Sequence, residues 1–158
     1  MQNTAKGTRV TEYEQGYTPE QKQLAEHIIG LEKAALDKWF AGDVSGYREL
    51  WSRRSFTYFD GTNTERVENH DTVDKFLDEL DGKLHADTYE FRSPRVQFGT
   101  DMALLTYQLF ADTNLIDMKY NCIELYQRED DSQWRVVHST WSFIRPMDMD
   151  FGSVETVV

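Results

Sequence analysis

The sequence predicts a single α+β domain in which three helices precede a curved, mainly antiparallel sheet. Its length of 158 residues suits one domain, and a chain of that size buries about 68–70% of its unfolded surface without metals or disulfides. Helical periodicity is confined to the first half of the chain, whereas strand-length segments joined by short turns fill residues 88–144. Helices grouped before strands are typical of an α+β fold, with the sheet curling over the helices.

Three helices are indicated by apolar spacing and by residues that favour helix ends. The first begins at Pro19 and ends before Gly42, and its apolar stripe consists of Leu24, Ile28, Leu31, Ala35 and Trp39. The second is short, follows a cap at Asp43, and buries Val44, Tyr47, Leu50 and Trp51. The third is capped by Asp71, ends at Gly82, and has an apolar side formed by Val73, Phe76, Leu77, Leu80 and Leu84.

Strands are predicted where β-branched and aromatic residues lie between turn residues. Two short strands, Phe56 to Asp60 and Glu65 to Glu68, precede the third helix. Four longer strands follow it, at residues 88–98, 102–112, 118–128 and 134–144. The short connections make these four neighbours antiparallel.

We interpret residues 19–146 as one domain, residues 1–18 as an N-terminal arm and residues 147–158 as a C-terminal tail. The formal net charge of −11 opposes binding to nucleic acids or anionic membranes. No phosphate-binding loop, GxSxG or HExxH motif is present, and the four histidines lack metal-ligand spacing. We therefore expect no cofactor, no metal and a cytoplasmic protein, with the lone Cys122 packed as a small apolar side chain.

Two acidic residues in the predicted strands are candidates for proton transfer. Alternation places Tyr58 and Asp60 on one face of the first strand, and Glu124 on the face of the third long strand that carries Tyr120 and Tyr126. A carboxyl group among apolar side chains has a raised pKa, which suits general acid–base catalysis. In the alternative interpretation, Asp60 only ends a strand, and Glu124 faces solvent or pairs with an arginine.

The aromatic residues, 13% of the chain, supply both a core and the wall of an apolar pocket. The residues that we expect to line such a pocket are Trp39, Phe40, Trp51, Tyr58, Phe76, Tyr107, Tyr120 and Trp141. The pattern does not separate core from wall. His138 lies on the face of the last strand opposite Trp141, where we expect a hydrogen-bonded sheet residue covered by a second subunit.

Three stretches are informative together with the order of elements: Ala41-Gly42-Asp43 at the end of the first helix, Phe56 to Gly61 as the first strand, and Trp134 to His138 opening the last strand. In these features the chain resembles the nuclear transport factor 2-like, or SnoaL-like, superfamily, also called the cystatin-like cone. The resemblance covers about residues 20–146 and implies a pocket between the helices and the concave face of the sheet.

Within this superfamily, the chain most strongly resembles the association domain of calcium/calmodulin-dependent protein kinase II. Gly42-Asp43 with Tyr47, Thr57 with Phe59, and His138 carry this likeness. It implies a homodimer built through the outer face of the sheet. In the pocket, Leu109, Glu124 and Trp141 take positions where the association-domain pattern has arginines.

A second resemblance, to ketosteroid isomerase, implies Asp60 as the general base and Glu124 as a protonated acid; the base and protonated acid of that enzyme are a known example of pKa tuning. We therefore expect a pocket for a small hydrophobic molecule and, if the protein is an enzyme, cofactor-free isomerisation, cyclisation or dehydration. The alternative is a non-catalytic module that binds a ligand or forms oligomers. The sequence does not identify the ligand.

Overall fold

The computed structural model describes residues 12–60 and 63–144. Residues 1–11 of the predicted arm, the expected strand end at Gly61, and the predicted tail, 147–158, lie outside the described residues. A short helix, α1 (Glu12–Gln15), lies within the predicted arm. After it, Tyr17 donates a hydrogen bond to the Val96 carbonyl and packs edge-on against Phe98, with ring centroids 5.3 Å apart.

The long helix α2 (Pro19–Phe40) begins and ends where the sequence predicts. Thr18 and Gln21 form a capping box, in which each side chain accepts a hydrogen bond from the other residue's backbone amide. At the other end Gly42 adopts a φ of +83°, which disfavours residues with a side chain, and a Cβ there would lie 3.2 Å from the Leu84 carbonyl oxygen.

The two shorter helices are α3 (Ser45–Leu50) and α4 (His70–Leu80). The expected cap of α3 at Asp43 is wrong by one residue: Val44 is the cap and its side chain makes no capping bond, although the Asp43 Oδ1 accepts the Ser45 amide at 2.9 Å. The expected cap of α4 at Asp71 is wrong: Asn69 is the cap, and its Oδ1 accepts the Thr72 amide at 3.0 Å. Asp71 lies in the first turn instead, where its negative charge interacts favourably with the helix dipole.

Six strands form one mixed sheet: β1 (Thr57–Asp60), β2 (Val67–Glu68), β3 (Glu90–Gly99), β4 (Met102–Asp112), β5 (Asp117–Arg128) and β6 (Trp134–Phe143). Their order across the sheet is β2-β1-β6-β5-β4-β3. All neighbours are antiparallel except β1 and β6, which run parallel. The predicted α+β class and mainly antiparallel sheet are confirmed.

A bulge in β6 changes which of its side chains face the helices. Tyr126 pairs with Val136 and Leu125 with His138, so Val137 is the extra residue. Strict alternation predicts Val136 on the face opposite Trp141, which is wrong, because Val136 is fully buried on the same side as Ser139 and Trp141. The core lies between α2, α3, α4 and this concave face.

Among the described residues, no helix is both long and apolar enough to cross a membrane.

Candidate functional site

A cavity of about 180 Å³ lies between the concave face of the sheet, the end of α2 and the helix α4. Its wall is predominantly aromatic and aliphatic. The described residues that line it are Trp39, Tyr58, Asp60, Phe76, Leu80, Leu84, Leu115, Ile116, Met118, Tyr120 and Trp141. Exposed apolar residues border it, since Leu115 is 58% exposed and Phe143, stacked on Tyr120, is 48% exposed.

Asp60 is the one carboxylate among the described residues of this wall, and the alternation of β1 places it there. Tyr58 is buried on the same face and Phe59 faces outward, as predicted. Asp60 is half-buried at the end of the strand, where its Oδ1 accepts the Asn63 amide at 3.0 Å. Burial and then the charge of Asp60 raise the pKa of Tyr58 and of Tyr120, so both phenols are neutral at pH 7.

The rings of the wall lie at large angles to one another. Trp39 and Trp141 have centroids 5.9 Å apart with planes at 71°, and Tyr120 meets Trp141 at 5.8 Å and 46°. Tyr58 and Phe76 are 5.7 Å apart at 46°. These rings come from α2, β1, α4, β5 and β6, so the cavity depends on the complete tertiary fold.

Glu124 is fully buried, as the strand pattern predicts, but it is not among the residues that line the cavity. Its Oε1 accepts hydrogen bonds from the Ser139 hydroxyl at 2.8 Å and from the Trp141 indole at 2.7 Å. Its Oε2 has no hydrogen-bond partner among the described residues. Glu124 thus contacts the cavity wall through Trp141, and the structure does not bring the two predicted acids into one cavity.

A second buried acid, Glu32, was missed by the sequence prediction. Three tyrosine hydroxyls donate to its carboxylate: Tyr47 to Oε1 at 2.9 Å, Tyr107 to Oε1 at 2.6 Å, and Tyr126 to Oε2. Glu32 is fully buried on α2, one turn after Ile28. The signal was its position in the apolar stripe of that helix, where a charged residue is unexpected.

The two buried acids differ in how well their charged forms are stabilised. Burial and then the charge of Glu32 raise the pKa of Glu124 well above the usual range for glutamate. Burial also raises the pKa of Glu32, but the three phenolic hydrogen bonds oppose that change. Because hydrogen bonds to a carboxylate favour its ionised form, the charge resides on Glu32 and the proton on Glu124.

The remaining predicted pocket residues, Phe40, Trp51 and Tyr107, belong to the core and are not among the described residues that line this cavity. Phe40 stacks on Tyr89 at 4.8 Å, and Trp51 stacks on Phe56 at 4.4 Å. Tyr107 bonds to Glu32. Their part in ligand binding stays a prediction.

His138 is the hydrogen-bonded sheet residue and Cys122 the buried side chain that the sequence predicts, while the cover of His138 by a second subunit stays a prediction. His138 is half-buried in the sheet, with its ring nitrogens 2.7 Å from the hydroxyls of Thr57 and Thr140. Cys122 is buried, and burial raises the pKa of its thiol. Within residues 12–60 and 63–144, no group of three or more histidine, cysteine or carboxylate side chains could hold a metal ion.

Comparison with solved structures places the chain among cone-shaped α+β proteins. A crystal structure of a proposed ketosteroid isomerase from Parabacteroides distasonis has a TM-score of 0.70 and 28% identity, over 84% of this chain and 96% of that one. An NTF2-like protein of unknown function from Pseudomonas putida has a TM-score of 0.67 and 16% identity, covering 80% and 91%. The hub of the S. rosetta calcium/calmodulin-dependent kinase II has a TM-score of 0.60 and 16% identity, covering 80% and 97%.

The solved structures thus include a relative of each kind found in the sequence, a ketosteroid isomerase-like protein and a kinase hub domain. At 16% identity, the Pseudomonas protein and the hub domain are similar to this chain in fold alone. No curated protein sequence matches the chain. The family model of the SnoaL-like domain matches residues 33–146, which is most of the chain and includes the cavity residues from Trp39 to Trp141. The chain belongs to the SnoaL-like domain family.

Proposed function

We propose that the protein binds a small, largely hydrophobic molecule in the aromatic cavity, and that Asp60 acts on it as a general base. One observation carries this proposal: a cavity walled by five aromatic residues has a carboxylate in its wall. Apolar pockets with a few polar groups are the usual sites for small ligands.

The size of the cavity restricts the ligand. Drug-sized ligands occupy sites of about 300–1,000 Å³, and an engineered cavity of about 150 Å³ in another protein binds benzene. The volume of about 180 Å³ here therefore favours a molecule with one ring or an equivalent branched body. A four-ring steroid exceeds that size, so we infer a smaller carbonyl compound than the name of the Parabacteroides relative suggests.

The reaction that this wall supports is proton transfer next to a carbonyl group. Asp60 would take a proton from the α-carbon, and the electron pair of the broken C–H bond would move onto the carbonyl oxygen. A neutral phenol, from Tyr58 or Tyr120, would donate a hydrogen bond to that oxygen as its charge develops. Asp60 would then return the proton to the α- or γ-carbon, so that no cofactor is consumed.

Glu124 would contribute indirectly, as a positioning residue. Its carboxyl holds the Trp141 indole at 2.7 Å, and Trp141 lines the cavity. A protonated carboxyl accepts that bond without placing a second negative charge near Asp60.

The experiment is hydrogen–deuterium exchange of 3-cyclohexenone and its conversion to 2-cyclohexenone, followed by proton NMR. We expect Asp60→Asn to reduce the catalysed rate by about 10²-fold or more, the range for loss of a general base. Glu124→Gln, which keeps an oxygen for Trp141 and Ser139, should stay within about threefold of the native rate, since losses of 1.4 kcal/mol are tenfold.

Asp87→Asn is the matched control, because it removes the same charge from a side chain that is 95% exposed and does not line the cavity. Equal rates for the native protein and Asp60→Asn would refute the role of Asp60 as the general base. If no one-ring ligand shifts the indole NMR signals of Trp39 or Trp141, the ligand site itself is refuted.

A second candidate function, self-association, is favoured by the outer face of the sheet. Phe59 on β1 and Ile123 on β5 are 42% and 40% exposed there. Phe59 packs edge-on against His138 at 5.9 Å. Burial, and then the charge of Arg66, lower the pKa of His138, so the ring is neutral at pH 7.

We propose a homodimer through this face, which sedimentation velocity would detect. Ile123→Arg should give a monomer, while Gln23→Arg, at an exposed position on α2, should not. A native monomer would refute the dimer, and an assembly larger than a dimer would favour a hub-like role.

A further inference from the structure

The charged side chains of the cavity wall indicate which ligand charge the cavity prefers, in addition to ligand size and hydrophobicity. Among the described residues that line it, Asp60 carries the one charged side chain, and lysine, arginine and histidine are all missing. An anionic ligand would therefore meet a negative charge and no described cation. A positively charged ligand would gain from the same arrangement.

Aromatic rings add to this preference. The face of an aromatic ring is negative, so cations are attracted to it, and cages of several rings bind quaternary ammonium groups. Here the plane of Trp141 makes an angle of 71° with that of Trp39 and of 46° with that of Tyr120. Tyr58 and Phe76 add two more rings at 46° to each other.

The field of Asp60 extends to these rings. Its charge is among the causes, after burial, that raise the pKa of Tyr58 and of Tyr120. The same field that opposes a phenolate favours an ammonium group.

We propose that the cavity selects a small organic cation, of the alkylammonium class, whose apolar groups contact the five rings and whose charge is balanced by Asp60. A trimethylammonium group on a short chain suits a volume of about 180 Å³. The inference rests on the proposed ligand site and is independent of proton transfer by Asp60.

The test compares three molecules of nearly equal shape: choline, its neutral isostere 3,3-dimethylbutan-1-ol, and the anion 3,3-dimethylbutanoate. Each is titrated into the native protein at constant ionic strength, and binding is followed through the indole NMR signals of Trp39 and Trp141. We expect choline to bind about tenfold or more tightly than the alcohol, given typical cation–π energies and the added carboxylate. The anion should bind more weakly than either.

Two variants assign the preference to its sources. Asp60→Asn should reduce the ratio of choline to alcohol affinity to about threefold or less, while the alcohol binds as before, whereas Asp87→Asn should leave the ratio unchanged. Phe76→Leu keeps an apolar side chain without a ring, so it should lower choline affinity more than alcohol affinity. Far-ultraviolet circular dichroism confirms that each variant is folded.

The outcomes separate this inference from the proposed function. Equal affinity for choline and the alcohol, or tighter binding of the alcohol, would overturn the cation preference and leave the ligand site supported. A ratio that Asp60→Asn does not change would overturn the role of Asp60. Failure of all three molecules, together with failure of one-ring ketones, would overturn both proposals.

Discussion

The buried carboxylate of Glu32 leads to a prediction about stability, which Tyr126→Phe tests directly. Tyr126 donates to Oε2, whereas Tyr47 and Tyr107 both donate to Oε1. Removing the Tyr126 hydroxyl therefore leaves Oε2 without a donor among the described residues. Removing the Tyr47 hydroxyl still leaves Oε1 with one donor, the Tyr107 hydroxyl.

A net hydrogen bond to a charged group contributes about 1.5–3 kcal/mol, and stranding a buried charge costs more than removing a shared donor. Phenylalanine keeps the ring volume, so the cavity term is small. We expect Tyr126→Phe to lower the free energy of unfolding by about 2–3 kcal/mol, and Tyr47→Phe by about 1–2 kcal/mol. For a domain of this size, the larger loss corresponds to a fall in Tm of about 4–12 °C.

The assay is urea unfolding at pH 7, followed by tryptophan fluorescence and analysed with a two-state model. Tyr120→Phe is the control, because its hydroxyl bonds to no described residue, and it should cost less than about 0.5 kcal/mol. If Tyr126→Phe costs no more than Tyr120→Phe, the three tyrosines do not stabilise a buried charge. A double-mutant cycle with Glu32→Gln should give a coupling of about 1 kcal/mol or more between the two side chains.

Four further predictions concern single residues. Glu124 has a folded-state pKa raised well above 4.5, so its contribution to the free energy of unfolding is full below pH 4.5 and is lost as pH rises from there through the folded-state pKa. Glu124→Gln should flatten this decline in urea titrations between pH 4.5 and 8. A Cβ added at Gly30 would have nothing within 4 Å. Gly30→Ala should therefore raise Tm, because alanine reduces the backbone entropy of the unfolded chain, an effect of about 0.5–1 kcal/mol. Gly46→Ala should lower Tm, since its Cβ would lie 3.0 Å from the Ala35 Cα and overpacking costs about 1–3 kcal/mol; a rise would contradict this packing. Asn69→Ala should cost about 1 kcal/mol or more, because it removes the cap of α4 and φ there is 77°, and an unchanged thermal melting curve would contradict the capping role.

The fold could be predicted from the sequence because its elements are marked locally. The long strands end at turns of three or four polar residues, so β4 and β5 were placed within one residue of their observed bounds. Alternation along β5 also predicted that Glu124 lies among buried aromatic residues. Alternation failed in β6, where the bulge at Val137 adds one residue.

The candidate site was less predictable because it depends on contacts between distant segments. The donors to Glu32 lie 15, 75 and 94 residues away along the chain, on α3, β4 and β5. Whether a ring lines a cavity or fills the core is decided by its neighbours: Trp39 borders empty space, while Trp51 has Phe56 stacked on it. Trp39 and Trp51 both occur at helical spacing in the sequence, so the pattern does not show which ring borders a cavity and which is packed against another ring.

The three acids between the helices and the concave face of the sheet, Glu32 on α2, Asp60 on β1 and Glu124 on β5, have distinct electrostatic environments, and this distribution limits the chemistry of the pocket. Three phenols donate hydrogen bonds to the charged Glu32, and burial, followed by the charge of Glu32, keeps the proton on Glu124. Neither lines the cavity, so neither can exchange a proton with a bound ligand without displacing Trp141 or a tyrosine. Asp60 is therefore the acid through which a ligand meets charge, and a two-acid mechanism of the ketosteroid isomerase type would require the second partner to be a phenol, not Glu124.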